Sequence, residues 1–158
     1  MFVPNLEYFG NKSILENYKI GFLCSQKVPA NIILKTYDWA IKQRTSGNCV
    51  ISGFHSKIEK DVFDILVKGT QPMIIVLARG IYKRAPAELK REIDKDRLLI
   101  ISPFSASVKR ISSKTSFKRN RIILKLSDEI YLPYVNPQGN LHKLIRKFDT
   151  TIKSSKDS

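Results

Sequence analysis

Acid is what this sequence is short of. Its 158 residues hold 14 Asp and Glu against 28 Lys and Arg, a formal net charge of +14. Cysteine is scarce as well: Cys24 and Cys49 make no disulfide framework. Each falls in an apolar run, where a buried free thiol is ordinary. No stretch approaches the run of eighteen or more apolar residues that argues for a membrane span. The opening MFVPNLEYFGNK lacks a basic segment followed by an apolar one, so no signal peptide is read. Together these absences predict a cytoplasmic protein with no membrane contact.

Hydrophobic residues make up 42% of the chain, enough for one domain with a proper core. The basic excess is uneven. From Arg79 to Lys125 there are 14 Lys and Arg against four acids (Glu88, Glu92, Asp94 and Asp96), which places +10 of the +14 in under a third of the chain. A charge of this sign and concentration argues for a polyanionic partner.

Apolar runs alternate with helix-period segments. KIGFLCS (19–25), CVISG (49–53), MIIVLA (73–78), LLIIS (98–102) and EIYLPYV (129–135) read as strands. Between the first two, Pro29 opens a helix carrying Ile33, Tyr37, Ala40 and Ile41, and Gly47 stops it. Ile58, Val62, Ile65 and Leu66 mark a second helix, Pro86 opens a third, and GNLHKLIRKF (139–148) reads as the last. TSFKRNRIILKLSDEIYL (115–132) reads as a helix running into a strand. This places Lys118, Arg119 and Arg121 in the helix's first turn, where the macrodipole is already positive and favours acids. A bound anion would relieve the crowding.

Strands apolar on both faces that alternate with helices predict an α/β fold. We expect a Rossmann-like three-layer sandwich with a mostly parallel sheet of about five strands, in the order 3-2-1-4-5. Residues 1–148 form this single domain, and 149–158 are a polar frayed tail. Such sheets bind ligands beyond the carboxyl ends of their strands. There the sequence offers Ser25, Gln26 and Lys27; then Ser52, Gly53, Phe54, His55, Ser56 and Lys57; then Arg79 and Gly80. With Lys118, Arg119, Asn120 and Arg121 these are hydroxyl, amide and cationic groups without a cluster of carboxylates. That chemistry suits a phosphate cradle.

The motif order resembles the DNA-processing protein A family (DprA, also called Smf) from about Leu6 to Lys147. That family reads approximately Gly-Ser-Arg after its first strand, where this chain has Cys24-Ser25-Gln26. Its Ser-Gly-x-Ala-Arg-Gly-Ile-Asp corresponds to SGFHSKIE, from Ser52 to Glu59, and its Val-Leu-Gly-x-Gly to VLARG, from Val76 to Gly80. The most specific match is FKRNRIILKLS, from Phe117 to Ser127, which keeps Arg119-Asn120-Arg121-Ile122-Ile123 in order. The first motif's arginine is Gln26 here, and the second's Arg-Gly is Ser56-Lys57, with a lysine close by in each case.

The resemblance implies single-stranded DNA binding of the DNA-processing and recombination-mediator type. It also implies a stand-alone, shortened relative, and a homodimer to which Tyr131, Tyr134, Leu141, Leu144 and Ile145 could contribute. The same superfamily includes LOG-type hydrolases, but their Pro-Gly-Gly-x-Gly-Thr loop and following glutamate are absent here. No ordered acid or base argues for turnover. Catalytic residues, metal ligands and cofactors are therefore all read as none. Two other readings stay open: binding or hydrolysis of a small nucleotide or nucleotide-derived signal in the same pocket, and a basic face that meets an acidic protein. DNA and RNA are not distinguished.

Overall fold

The computed structural model describes residues 5–148 and 152–154. In chain order it runs β1 (Glu7–Gly10), a 3-10 turn (Lys12–Glu16), β2 (Lys19–Phe22), α1 (Ala30–Ser46), β3 (Cys49–Ser52), α2 (Lys57–Leu66) and β4 (Met73–Val76). It continues with α3 (Ala87–Asp94), β5 (Leu98–Ser102), α4 (Ser113–Leu126), β6 (Glu129–Leu132), α5 (Asn140–Arg146) and β7 (Ile152–Ser154). The strands form one seven-stranded sheet in the order β1-β5-β4-β3-β2-β6-β7. Neighbours are parallel except β1, which lies antiparallel beside β5.

The five expected strands are β2 to β6, and all five are mutually parallel. Their order needs correction. Counted from β2 it is 4-3-2-1-5, not 3-2-1-4-5. β5 pairs beside β4, from Leu98 opposite Met73 to Ile101 opposite Val76, rather than crossing to the far side of β2. Successive βα units step outward in one direction. Only the connection 103–112 and α4 carry the chain back across the sheet, to set β6 beside β2. The switch point is therefore the β2/β6 seam. β1 and β7 are additions to the expected sheet. Residues 152–154 of the expected tail pair with β6, and the remainder of that tail lies outside the described residues.

Period-two alternation sorts the strand residues into two cores. Phe22, Val50, Met73, Ile75, Leu98, Ile100 and Tyr131 pack with residues of α1, α2 and α3 on one face. Leu23, Ile51, Ile74, Val76, Leu99, Ile101 and Ile130 pack with residues of the 3-10 turn, α4 and α5 on the other. Each such side chain, fully buried, contributes about 1.5–3 kcal/mol, so the register of every central strand is fixed from both sides. Residues expected at a dimer interface are used here: Tyr131, Leu141 and Leu144 are buried in these cores, with Tyr134 and Ile145 packed against them.

The start of α4 also needs correction. Ser112 caps it, accepting from Thr115 N–H at 3.1 Å while Thr115 Oγ1 accepts from Ser112 N–H at 2.8 Å. Lys118, Arg119 and Arg121 are consequently one to two turns inside the helix, beyond the reach of the dipole effect. The polar run Ser112–Ser116 forms the first turn, and apolar spacing alone does not reveal it.

One cation is wholly structural. Arg97, buried, pairs with Glu92 at 2.7 Å and donates to the carbonyls of Gln71 (3.0 Å), Val67 (2.8 Å) and Leu66 (3.3 Å). It thereby ties the end of α2 to the start of β5.

Candidate functional site

Each parallel strand feeds a helix that returns antiparallel to it, so helix N-termini gather at the carboxyl edge of the sheet. At the seam, Leu23 N–H donates to Tyr131 O (3.2 Å) and Ser25 N–H to Tyr134 O (3.0 Å). Asn136 N–H donates to Ser25 Oγ at 2.8 Å. Ser25 is thus bound on both sides and holds the exits of β2 and β6 together. Beyond it opens a groove of about 650 Å³. Ser25, Gln26 and Lys27 line it from β2's exit, His55, Ser56 and Glu59 from the start of α2, and Asn136, Gly139 and Asn140 from the start of α5. From α4 and its cap come Ser112, Ser113, Ser116, Phe117, Arg119 and Asn120.

Arg119 is the buried cation of this groove, at 5% exposure. Its place follows from helical spacing: it lies three, four and seven residues before Ile122, Ile123 and Leu126, on the face turned to the sheet. Its Nε donates to Asn120 Oδ1 at 2.8 Å. Among the described residues, its two terminal nitrogens have no hydrogen-bond acceptor. The guanidinium lies over Gly53, where a Cβ would sit 2.5 Å from Cζ and 2.9 Å from Nε. Only glycine permits that approach. Burial lowers the pKa of Arg119 and the charge of Glu59 raises it, and burial is the larger effect.

Glu59, itself 6% exposed, is committed to the backbone. Its Oε1 accepts from His55 N–H (2.9 Å) and Ser56 N–H (3.1 Å), while Ser56 Oγ accepts from Glu59 N–H (3.4 Å), a reciprocal cap for α2. The preceding residue, Phe54, takes a left-handed backbone with φ 47°. For a non-glycine residue that costs about 1–2 kcal/mol. Packing of its ring edge-on to Phe63, with centroids 5.2 Å apart, holds it there. The turn aims Gly53 at Arg119.

Arg119 and His55 also line a second groove of about 420 Å³, which holds the rings of Phe54, Phe63 and Tyr82. Arg119 is thus a partition between a polar groove and an aromatic one. Burial, and next the Arg119 charge, lower the pKa of His55, with Glu59 opposing. Cys24 faces the polar groove with a thiol pushed up to about 12, chiefly by burial and then by Glu59, so it stays protonated and unreactive at neutral pH. Among the described residues no group of three or more His, Cys, Asp or Glu could hold a metal ion.

Residues 3–135 match the model of a protein family described as "DNA recombination-mediator protein A". The chain belongs to that family. Comparison with curated protein sequences gives no match. Among solved structures, a DNA processing protein A from Helicobacter pylori, described for its single-stranded DNA binding mode, is 15% identical with a TM-score of 0.74. The similarity covers 94% of this chain and 70% of that one. DNA processing protein A from Streptococcus pneumoniae is 17% identical with a TM-score of 0.72, over 94% of this chain and 54% of that one. A molybdenum cofactor binding protein from Rippkaea orientalis is 11% identical with a TM-score of 0.54, over 82% and 69% of the two chains. At these identities the likeness is one of fold. This chain spans little more than half the length of the pneumococcal protein.

Of the residues expected at a DprA-type phosphate site, Ser25, Gln26, Lys27, His55, Ser56, Arg119 and Asn120 line the polar groove, and Gly53 and Phe54 line the aromatic one. The others lie elsewhere. Ser52 is fully buried, its hydroxyl accepting from Phe54 N–H at 3.2 Å. The N–H of Ser25 is spent on Tyr134, so it is not the phosphate donor that a strand-edge reading suggests. Lys57 pairs with Asp61 at 2.7 Å. Arg79 donates to Gly80 O (3.1 Å) and lies over the Tyr82 ring at 4.9 Å. Gly80 N–H donates to Val108 O (2.8 Å), and a Cβ there would strike Ser105, so this glycine pins the 103–112 connection. Lys118 and Arg121 are on the exposed side of α4. Sequence reasoning missed Glu59, whose signal was the Ser56-x-x-Glu59 cap, and the α4 serines Ser112, Ser113 and Ser116.

Proposed function

We propose that this chain binds single-stranded DNA through its phosphates, in the DNA-processing and recombination-mediator role of its family. The strand is seated in the polar groove at the β2/β6 seam. The observation that carries the reading is the buried Arg119, whose terminal nitrogens lack an acceptor among the described residues and face a groove rimmed by serines, amides and helix N-termini. A phosphate there supplies what the fold withholds: a charged, two-pronged acceptor for a planar guanidinium. Gln26, Lys27, Ser56 and Asn120 surround it with further donors. The adjoining aromatic groove offers the half-buried Tyr82 to a base. Ribonucleotide strands share the phosphates, so RNA is the natural comparison. A homodimer would draw on surfaces other than the apolar residues now placed in the cores.

Fluorescence anisotropy with labelled oligothymidine over a salt series tests this. Binding with log K falling linearly in log salt, at about 0.7 per phosphate contacted, is expected. Absence of binding at low salt refutes it. Full competition by a micromolar mononucleotide would make the small-nucleotide reading the better one.

A further inference from the structure

We propose that the outer face of α4 and α5 is a second nucleic-acid track, along which a long strand continues after leaving the groove. This rests on the reading of the groove given above. From Arg97 to Ser127 the sequence has eight Lys and Arg and no acid. Lys114, Lys118, Arg121 and Lys125 recur at intervals of four, three and four residues, forming one stripe on α4. At 1.5 Å per residue the stripe is about 16 Å long, the distance over which one strand of a duplex carries about five phosphates. Lys143 in α5 and Lys147 at its C-cap add two more exposed cations, and α5 also lacks an acid. Among the described residues, none of these six cations is in an ion pair.

Three contacts hold this charge in place rather than leaving it to wander. Arg121 of α4 lies 5.9 Å from the centroid of the Phe148 ring, and Lys147 lies 5.6 Å from that of Phe117 on α4. Lys118 lies 5.2 Å from the Phe104 ring centroid. Two of these pairs tie α4 to Lys147 and Phe148 at the end of α5, so the two elements share one surface of cations interleaved with half-buried rings. Such interleaving suits a single strand, whose phosphates and bases both need partners. The track is also continuous with the groove. Phe117 lines the groove and carries Lys147, and Ser113 and Ser116 line it on the turns that bear Lys114 and Lys118.

The test compares two oligothymidines: one that the groove alone can hold, and one long enough to cross both surfaces. Wild-type protein should bind the long strand with the steeper salt slope. Lys118→Gln/Arg121→Gln/Lys125→Gln should flatten the long-strand slope by about 2, from three contacts at about 0.7 each, and leave short-strand affinity unchanged. Lys114→Gln/Lys125→Gln, which keeps every ring contact, should flatten it by about 1.4. Unchanged long-strand slopes in both variants overturn the track. So does an equal loss on short and long strands, which would mean a diffuse field. Wild-type protein that binds both lengths with one slope leaves the groove standing without the track. Wild-type protein that binds neither removes both.

Discussion

Arg119→Met should separate binding from stability. The guanidinium is buried, and its pKa is lowered because burial outweighs the attraction of Glu59. In the free protein the charge is therefore a net cost. Replacing a buried ion pair by apolar residues of similar volume is often neutral or stabilising by about 1–4 kcal/mol. Arg119 closes no salt bridge among the described residues, so its removal strands no paired partner. The lost bond to Asn120 Oδ1 takes back about 1 kcal/mol. We expect unfolding free energy to be unchanged or to rise by about 1 kcal/mol, a Tm shift of about 2–4 °C for a chain this size. Binding should move the other way. A charge-assisted hydrogen bond is worth about 1.5–3 kcal/mol, so affinity for oligothymidine should fall about 10- to 150-fold. Thermal melts followed by circular dichroism, and anisotropy titrations on the same preparation, read both quantities. A variant that melts well below wild type but binds with unchanged affinity would show Arg119 to be a structural cation, and the phosphate reading of the groove would fail with it.

Gly53→Ala reaches the same arginine from below. The new methyl displaces the end of a flexible side chain, so stability should change by less than about 1 kcal/mol while affinity falls several-fold; wild-type affinity would mean that the Gly53 approach does not position the guanidinium. His55 supplies a pH dependence. Its folded pKa lies below the ordinary 6.5, so the unfolded chain takes up the proton first, and stability present above pH 6.5 declines as pH falls below it. A nearby phosphate favours the protonated ring, so affinity should rise as pH falls through that range, and His55→Gln should flatten the profile; a flat wild-type profile refutes a phosphate beside this ring. Arg97→Ala breaks a buried, multiply bonded ion pair and should cost about 3–5 kcal/mol in urea titrations, with the folded fraction binding oligothymidine normally; a selective loss of affinity would place Arg97 in the interface.

The central sheet was legible because its strands are apolar on both faces, a pattern that only a sheet covered on both sides explains. Pro29, Pro86 and Gly47 bound their helices as read, at the two N-caps and the C-cap. What local pattern does not carry is the direction of a crossover. Whether β5 falls beside β4 or beyond β2 depends on the route of 103–112, and nothing periodic in that segment declares it. β1 escaped notice because its four residues are mostly exposed and an edge position demands no apolar alternation. The candidate site was legible as a set of strand ends and not as a geometry. Among three neighbouring cations, spacing to Ile122, Ile123 and Leu126 singles out Arg119 as the inward one, whereas charge counting treats all three alike.

The fate of Glu59 explains why that inward cation is available. It is the one acid among the described residues that line the polar groove. A carboxylate in such a place would ordinarily fold onto the guanidinium and neutralise it. Here the α2 cap engages it first: one oxygen accepts the N–H groups of both His55 and Ser56, donors at a helix start that would otherwise lack partners. Satisfying those N–H groups holds the carboxylate at the helix end, so it raises the Arg119 pKa only as a field and does not close a salt bridge. The left-handed turn at Phe54 and the bare Cα of Gly53 then set the guanidinium between the two grooves. The fold carries a strained turn, held by the packing of Phe54 on Phe63, and an unneutralised buried cation, and it is the second whose cost the free protein's own contacts do not recover. On the proposed reading an anionic ligand recovers the second, and phosphate binding then depends on the local chemistry of the α2 cap.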